Sequence, residues 1–409
     1  MNTPDPGGDT SRSAAPDGAG GMPAAGVLRV ALALPPWYDV PPSAYGGIES
    51  LVADLADELI ARGHDVVLVG AGVNGTRARF LRTYEKAPSE RLGEAIPEVV
   101  QAALISSYLD GLQVDIVHDH SLAGPLTARG RPMPTVMTVH SPCSGEMADY
   151  YRHLSREVRL IAISDAQRRI APDLNWAGRV HNAIKVAAFP FRARKDDYVL
   201  FIGRFNPTKG AHLAIDAARR AGRPIVLAGK LQEPIEWDYF DAEIRPRLGA
   251  DVEFLGEVGV RDKQRLYAAA HCLIFPIRWE EPFGLVMIEA MACGTPVVAF
   301  RRGSVPEVVL DGVTGFIRDD PVELPEAIER AGDLAPEDCR RHVTRHFDVA
   351  VMAAGYEQVY LRLVRGWSGL AGGPVAEAPP AGHGHRPPAV SGRRTHPIVR
   401  VRPAPPESR

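Results

Sequence analysis

Cysteine is scarce in this chain. Cys143, Cys272, Cys293 and Cys339 are scattered through 409 residues with no paired spacing, which argues against a disulfide framework and a thiolate zinc site. No run of about 18 apolar residues occurs, so no segment is expected to span a membrane. The first residues lack a charged start followed by an apolar core, and no secretory leader is expected there. Charge of one sign is also missing. Lys and Arg total 47 against 50 Asp and Glu, a formal net charge of −3, which gives no electrostatic case for nucleic acid as the main partner. These absences fit a reduced, cytoplasmic setting.

What is present is ordinary globular material, 45% apolar and 24% charged, and it is too long for one core. Two domains are therefore expected, spanning 27–190 and 196–346, with a linker near 186–197 and a closing helix at 347–366. The ends differ in kind. Residues 1–26 are Gly, Pro, Ala, Ser and Asp with little to bury, and 371–409 turn to Pro, Gly, His and Arg; both are read as disordered extensions. The arginines of the tail leave weak contact with an anionic membrane surface or a partner open.

The most informative stretch runs from His271 to Phe316. An apolar strand (272–276) ends in the polar turn Arg278-Trp279-Glu280-Glu281-Pro282, and a helix opens near Phe283-Gly284 and stops at Gly294. A second apolar strand (296–300), a Gly303-Ser304 turn and a short helix follow at once. Strand–turn–helix repeated in this way is the pattern of a parallel βαβ sheet. Ligands in such sheets sit where strands end and helix N-termini point outward, a natural anion site. Glu281 lies in the turn and Glu289 inside the helix, about 7.5 Å along its axis from Gly284 at 1.5 Å per residue. Two carboxylates offset like this suit hydroxyls on two different rings, though acids at helix starts are also common for their effect on the helix dipole alone.

The string Glu281-x7-Glu289 enclosing Phe283-Gly284-Leu285, then Ala-x-Ala-x-Gly-x-Pro-Val-Val and Pro-Glu-Val-Val, resembles the nucleotide-sugar site of glycosyltransferase family 4. That resemblance covers about residues 28–366. It implies a GT-B fold, two Rossmann-like parallel-sheet α/β domains facing a cleft, and retaining hexosyl transfer from a nucleoside diphosphate sugar to a small-molecule, glycan or lipid hydroxyl. It places Gly203-Arg204 and Lys209-Gly210 at the donor phosphate, with Arg204 forking two oxygens and Lys209 supplying a point charge. No metal or other cofactor is implied. Glu281 is assigned to sugar hydroxyls and Glu289 to the ribose, while Phe283, Gly284 and Leu285 present backbone amides. Gly46 and Gly47 lie under the diphosphate, His140 beside the donor sugar, and Gly229 with Glu257-Val258 near the base. UDP-glucose is the preferred donor, with GDP-mannose behind it, and Tyr-Gly-Gly-Ile-Glu is similar to bacterial members that glucosylate small molecules. The chain departs from the family at Asn182-Ala183, where Asn-Gly is usual. A non-catalytic nucleotide-sugar binder on the same fold is the alternative.

Two further patterns carry competing readings. Gly70, Gly72 and Gly75 form a G-x-G-x-x-G, but after the second strand and without a well-placed acid beyond it, which disfavours a dinucleotide site. The residues after it read as an exposed loop. His118-Asp119-His120 and His140 end neighbouring strands, and a metal cluster there competes with acceptor-side or bracing roles for His118 and His120.

Overall fold

The computed structural model describes residues 26–42 and 46–367. The two terminal extensions lie outside them. The described chain forms two α/β halves, each built on a wholly parallel sheet. The first contains β1 (Arg29–Ala33), β2 (Asp65–Gly70), β3 (Arg79–Arg82), β4 (Ile116–Asp119), β5 (Thr135–Val139), β6 (Val158–Ala162) and β7 (Trp176–Arg179), in spatial order β3-β2-β1-β4-β5-β6-β7. Helices α1 (Gly47–Ala61), α2 (Ala95–Asp110), α3 (Gly145–His153) and α4 (Asp165–Ile170) connect them. Ser164 caps α4 by accepting from the Gln167 amide at 3.1 Å, the role its position before Asp165 indicated.

The second sheet runs β10-β9-β8-β11-β12-β13. Its strands are β8 (Val199–Ile202), β9 (Ile225–Ala228), β10 (Val252–Phe254), β11 (Cys272–Phe275), β12 (Val297–Phe300) and β13 (Gly315–Arg318). Around it pack α5 (Ala211–Arg220), α6 (Pro234–Tyr239), α7 (Val260–Ala269), α8 (Leu285–Ala292), α9 (Val305–Val308), α10 (Leu324–Arg330) and α11 (Pro336–His346). The near-continuous apolar runs of β8, β11 and β12 follow from burial on both faces. In each sheet the chain starts in the middle, winds one way, then returns to the other side of its first strand. That leaves a switch point between β1 and β4 and another between β8 and β11, where open α/β sheets bind ligands.

One segment departs from the sequence reading. Residues 79–82, expected in a loop, form β3, the outermost strand of the first sheet, paired in parallel with β2. Phe80 and Leu81 are half-buried while Arg79 and Arg82 are exposed, so charge guards an edge that would otherwise invite pairing with another chain.

The last helix, α12 (Val349–Trp367), follows the second domain in sequence but packs on the first. Met352, Ala353, Tyr356, Val359 and Tyr360 share one apolar cluster with Val30, Leu51, Leu55, Ile116 and Ile161. The Tyr360 hydroxyl meets His118 Nδ1 at 2.5 Å, and the Tyr356 hydroxyl meets Thr138 Oγ1 at 2.9 Å. Both tyrosines are fully buried, so their hydroxyls need these partners. Tyr360→Phe is expected to lower unfolding stability by about 1–3 kcal/mol, because His118 Nδ1 is then buried unpaired. Urea unfolding of the full chain measures it.

Candidate functional site

The two switch points face each other across one cleft of about 580 Å³, inside the range of about 300–1,000 Å³ common for small-molecule sites. From the first domain it receives the turn after β1, the start of α1 and the residues beyond β4 and β5. From the second it receives the loop after β8 and the turn between β11 and α8. Gly46 precedes α1 and Gly284 precedes α8, and neither helix has a side-chain cap at its N-terminus. Two helix starts with uncapped amides thus line one hollow from opposite sides, an arrangement that favours anionic groups between them.

The second-domain wall holds the charges. Lys209 Nζ lies 2.6 Å from Glu281 Oε2, 5.3 Å from the centre of the Trp279 ring and 6.0 Å from that of Phe275. Both members of this ion pair are largely shielded from solvent, so each compensates the other's charge beside the Phe275 and Trp279 rings. Arg204 is more open, with Nη1 at 3.6 Å from Glu233 and 4.0 Å from Glu236. The Glu281 turn is clamped by the next one. Ser304 N donates to Glu281 O at 3.0 Å, Ser304 Oγ donates to Phe283 O at 2.6 Å, and Gly303 N donates to Glu280 Oε2 at 2.7 Å.

On the first-domain wall, His120 Nδ1 and His140 Nε2 are 3.0 Å apart, and both side chains line the cleft. Burial holds His140 down to about 4 and lowers His120 as well, so the pair is neutral and one ring donates to the other. His120 Nε2 and Asn182 Oδ1 are buried without a partner among the described residues, and both residues line the cleft.

The structure therefore brings together Gly46, Gly47, His120, His140, Gly203, Arg204, Lys209, Glu281, Phe283, Gly284 and Leu285. Three residues assigned from the sequence stand elsewhere. His118 does not face the acceptor side: it is fully buried, with Nε2 at 2.7 Å from Thr138 Oγ1 and Nδ1 on Tyr360, and it joins α12 to the sheet. Gly229 lies against the backbone of Gly203 rather than in the cleft, and a Cβ there would fall 1.8 Å from Gly203 O. Glu289 points from α8 toward α7, where Tyr267 and Lys263 donate to it at 2.8 Å each, and it is not among the residues lining the cleft. Among the described residues no group of three or more His, Cys, Asp or Glu is placed to hold a metal ion, and His118 is already committed on both ring nitrogens.

Other lining residues escaped the sequence reading as site residues: Trp37, Glu49, Glu98 and Asn182. Glu49 sits in the first turn of α1 and is almost wholly buried, which pushes its carboxyl up to about 7. A signal for it existed, since an acid three residues past the first of two glycines at a helix start lies beside whatever those glycines admit. Glu307, in the Pro-Glu-Val-Val string, reaches across to the first domain. It accepts from the amides of Asp165 at 2.8 Å and Ala166 at 2.6 Å, at the start of α4, and meets His181 Nε2 at 3.1 Å. Those contacts hold Glu307 below the usual carboxylate range despite its burial.

Two parallel-sheet domains with their switch points lining one cleft have the layout of the GT-B fold, and known glycosyltransferases share it. Residues 45–188 match the family described as Glycosyltransferase Family 4, and residues 186–342 match Glycosyl transferases group 1. The chain belongs to the family 4 glycosyltransferases. It is 26% identical over 396 residues to the glycogen synthase of Mycobacterium tuberculosis, covering 80% of this chain and 94% of that one. It is 28% identical over 375 residues to the phosphatidyl-myo-inositol mannosyltransferase of the same species, covering 81% and 96%. Among solved structures, AviGT4, a glycosyltransferase involved in avilamycin A biosynthesis, matches with TM-score 0.65 and 27% identity over 83% of this chain and 98% of that one. Anabaena HepE, solved in complex with UDP and glucose, shares the fold with TM-score 0.64 and 19% identity over 82% and 100%.

Proposed function

We propose that this glycosyltransferase moves a hexose, glucose first among the candidates, from a nucleoside diphosphate to an acceptor hydroxyl with retention of configuration. The observation that carries the reading is the wall on which Arg204, Lys209, Glu281 and the start of α8 meet. Breaking the bond between the sugar and the diphosphate leaves negative charge on the departing phosphate. Arg204 and Lys209 stabilise it there, with the α8 amides, in place of a metal ion. Glu281, already paired with Lys209, accepts from sugar hydroxyls and holds that cation in place. The neutral His140 hydrogen-bonds the sugar beside the reacting carbon. Positive charge developing on the ring is met by acceptor oxygen arriving on the face the phosphate leaves, and the acceptor proton passes to a phosphate oxygen.

UDP-glucose leads as donor because HepE, with the same fold, was solved with UDP and glucose. The four buried, unpaired cysteines support a reducing cytoplasm as its location. No helix among the described residues is long and apolar enough to cross a membrane.

Thermal-shift screening of UDP-, GDP- and ADP-sugars selects the donor, and incubation without acceptor then tests catalysis. Slow release of free glucose is the expected result. Stabilisation by the donor with no sugar released under any acceptor would instead identify a nucleotide-sugar binding protein.

A further inference from the structure

Glu307 does not line the cleft, yet bonds running through it tie one wall to the other. It is the third residue of α9, and its own amide donates to Ser304 O at 2.8 Å. Ser304 in turn donates its amide to Glu281 O and its hydroxyl to Phe283 O, so α9 moves with the turn that carries the site acid. Pointing away from that turn, the Glu307 carboxylate accepts from the amides of Asp165 and Ala166 in the first domain. Two backbone donors at a helix start, on an ionised acceptor, make short and strong bonds. His181 closes the grip. Arg179 Nη1, 3.0 Å from His181 Nδ1, can only donate, so Nε2 carries the ring proton and gives it to Glu307.

From the start of α4 the connection continues to His140. Gln167, the buried third residue of that helix, donates its two amide hydrogens to Val139 O and Ser141 O at 2.9 Å each, the carbonyls on either side of His140. Its oxygen accepts from Ile163 N at 3.0 Å, so the side chain is fully committed and cannot swing. A continuous run of bonded groups therefore leads from Glu281 through Ser304, Glu307 and Gln167 to the backbone of His140. We propose that Glu307 is a positioning residue for sugar transfer: it touches neither substrate, and by gripping α4 it sets the separation between the Glu281 wall and the His140 wall. The expected rate effect rests on the glycosyl-transfer reading above; the grip itself does not.

Three variants of the full chain test it, each checked for folding by a thermal melt. Glu307→Ala should lower kcat about tenfold through a misplaced wall, and Glu307→Gln, which can still accept from an amide, should lower it less. Asp165→Pro removes one of the two donors from the other side, at a first helical position that accepts proline. It should also lower kcat, and combined with Glu307→Ala it should cost less than the sum of the two. The Kd for UDP, titrated calorimetrically, should stay within about twofold of wild type, because Arg204, Lys209 and Glu281 all stand on the second domain. Spin labels at Leu126→Cys and Val322→Cys, one per domain, 62% and 72% exposed, read the separation directly, since the four native cysteines are buried. Glu307→Ala should add a second distance population. An unmoved kcat in the folded variants, a loss of UDP affinity as large as the loss of kcat, or an unchanged label distance would overturn the assignment. A wild-type chain that transfers no glucose would remove the transferase reading, and the label distances would then decide the grip by themselves.

Discussion

Lys209→Ala is expected to lower kcat/KM about 10²–10³-fold, the loss typical of removing one preorganised group that meets developing negative charge. The position of the ammonium group explains the size. Nζ is held at 2.6 Å by Glu281 and flanked by the Trp279 and Phe275 rings, so its charge is fixed in a low-dielectric wall before any phosphate arrives. Glu281 loses its partner in the variant but keeps access to the water of the cleft, so the fold should survive. Steady-state kinetics with the selected donor, alongside a thermal melt, measure both quantities. Lys209→Arg should not restore the rate, because a forked guanidinium cannot occupy the slot between Glu281 and the two rings without moving one of them. Wild-type kinetics in the alanine variant would take the loop after β8 out of the reaction.

Gly303→Ala should reduce kcat about 10²-fold through misplacement of Glu281 by about 1 Å. Gly303 has φ +51°, and a Cβ there would stand 2.2 Å from Glu281 O and 2.5 Å from Glu281 N. Those are backbone atoms and cannot rotate aside, so the turn carrying Glu281 must shift as a unit. The left-handed conformation adds about 1 kcal/mol of strain for a residue with a side chain. The expected signature is a fall in kcat larger than any loss of melting temperature explains at the assay temperature. A variant that keeps its rate would show that the clamp between the two turns does not position the acid.

Local pattern made much of this architecture legible. The βαβ unit around Glu281 could be read because β11 and β12 are short, fully apolar runs separated by Gly284 and Gly294 at the two ends of α8. Placement of Lys209 against Glu281 could not be read from spacing, since 72 residues separate them and only the switch point between β8 and β11 brings them together. The fate of the His118-Asp119-His120 string shows the same limit. Strand alternation puts both rings on one side, and their centroids are in fact 4.0 Å apart. Which ring reaches the cleft is decided by Tyr360, 242 residues farther along. Glu98 is invisible for a related reason: α2 carries apolar residues on several faces, so no periodicity marks the one that turns toward Trp37. β3 was missed because a four-residue edge strand with charged ends carries almost no period to detect.

The docking of α12 onto the first domain has a consequence for biosynthesis. Residues 349–360 fill an apolar groove on a body whose other parts are complete by residue 183. A ribosome must therefore make the whole second half before the first half can bury Leu55, Ile116 and Ile161 under their final cover. Until then the nascent protein exposes a greasy trench in which His118 Nδ1 lacks its Tyr360 partner, a natural handle for chaperones. For the same reason, a cut in the connection near residue 190 would yield an N-terminal fragment lacking its own roof.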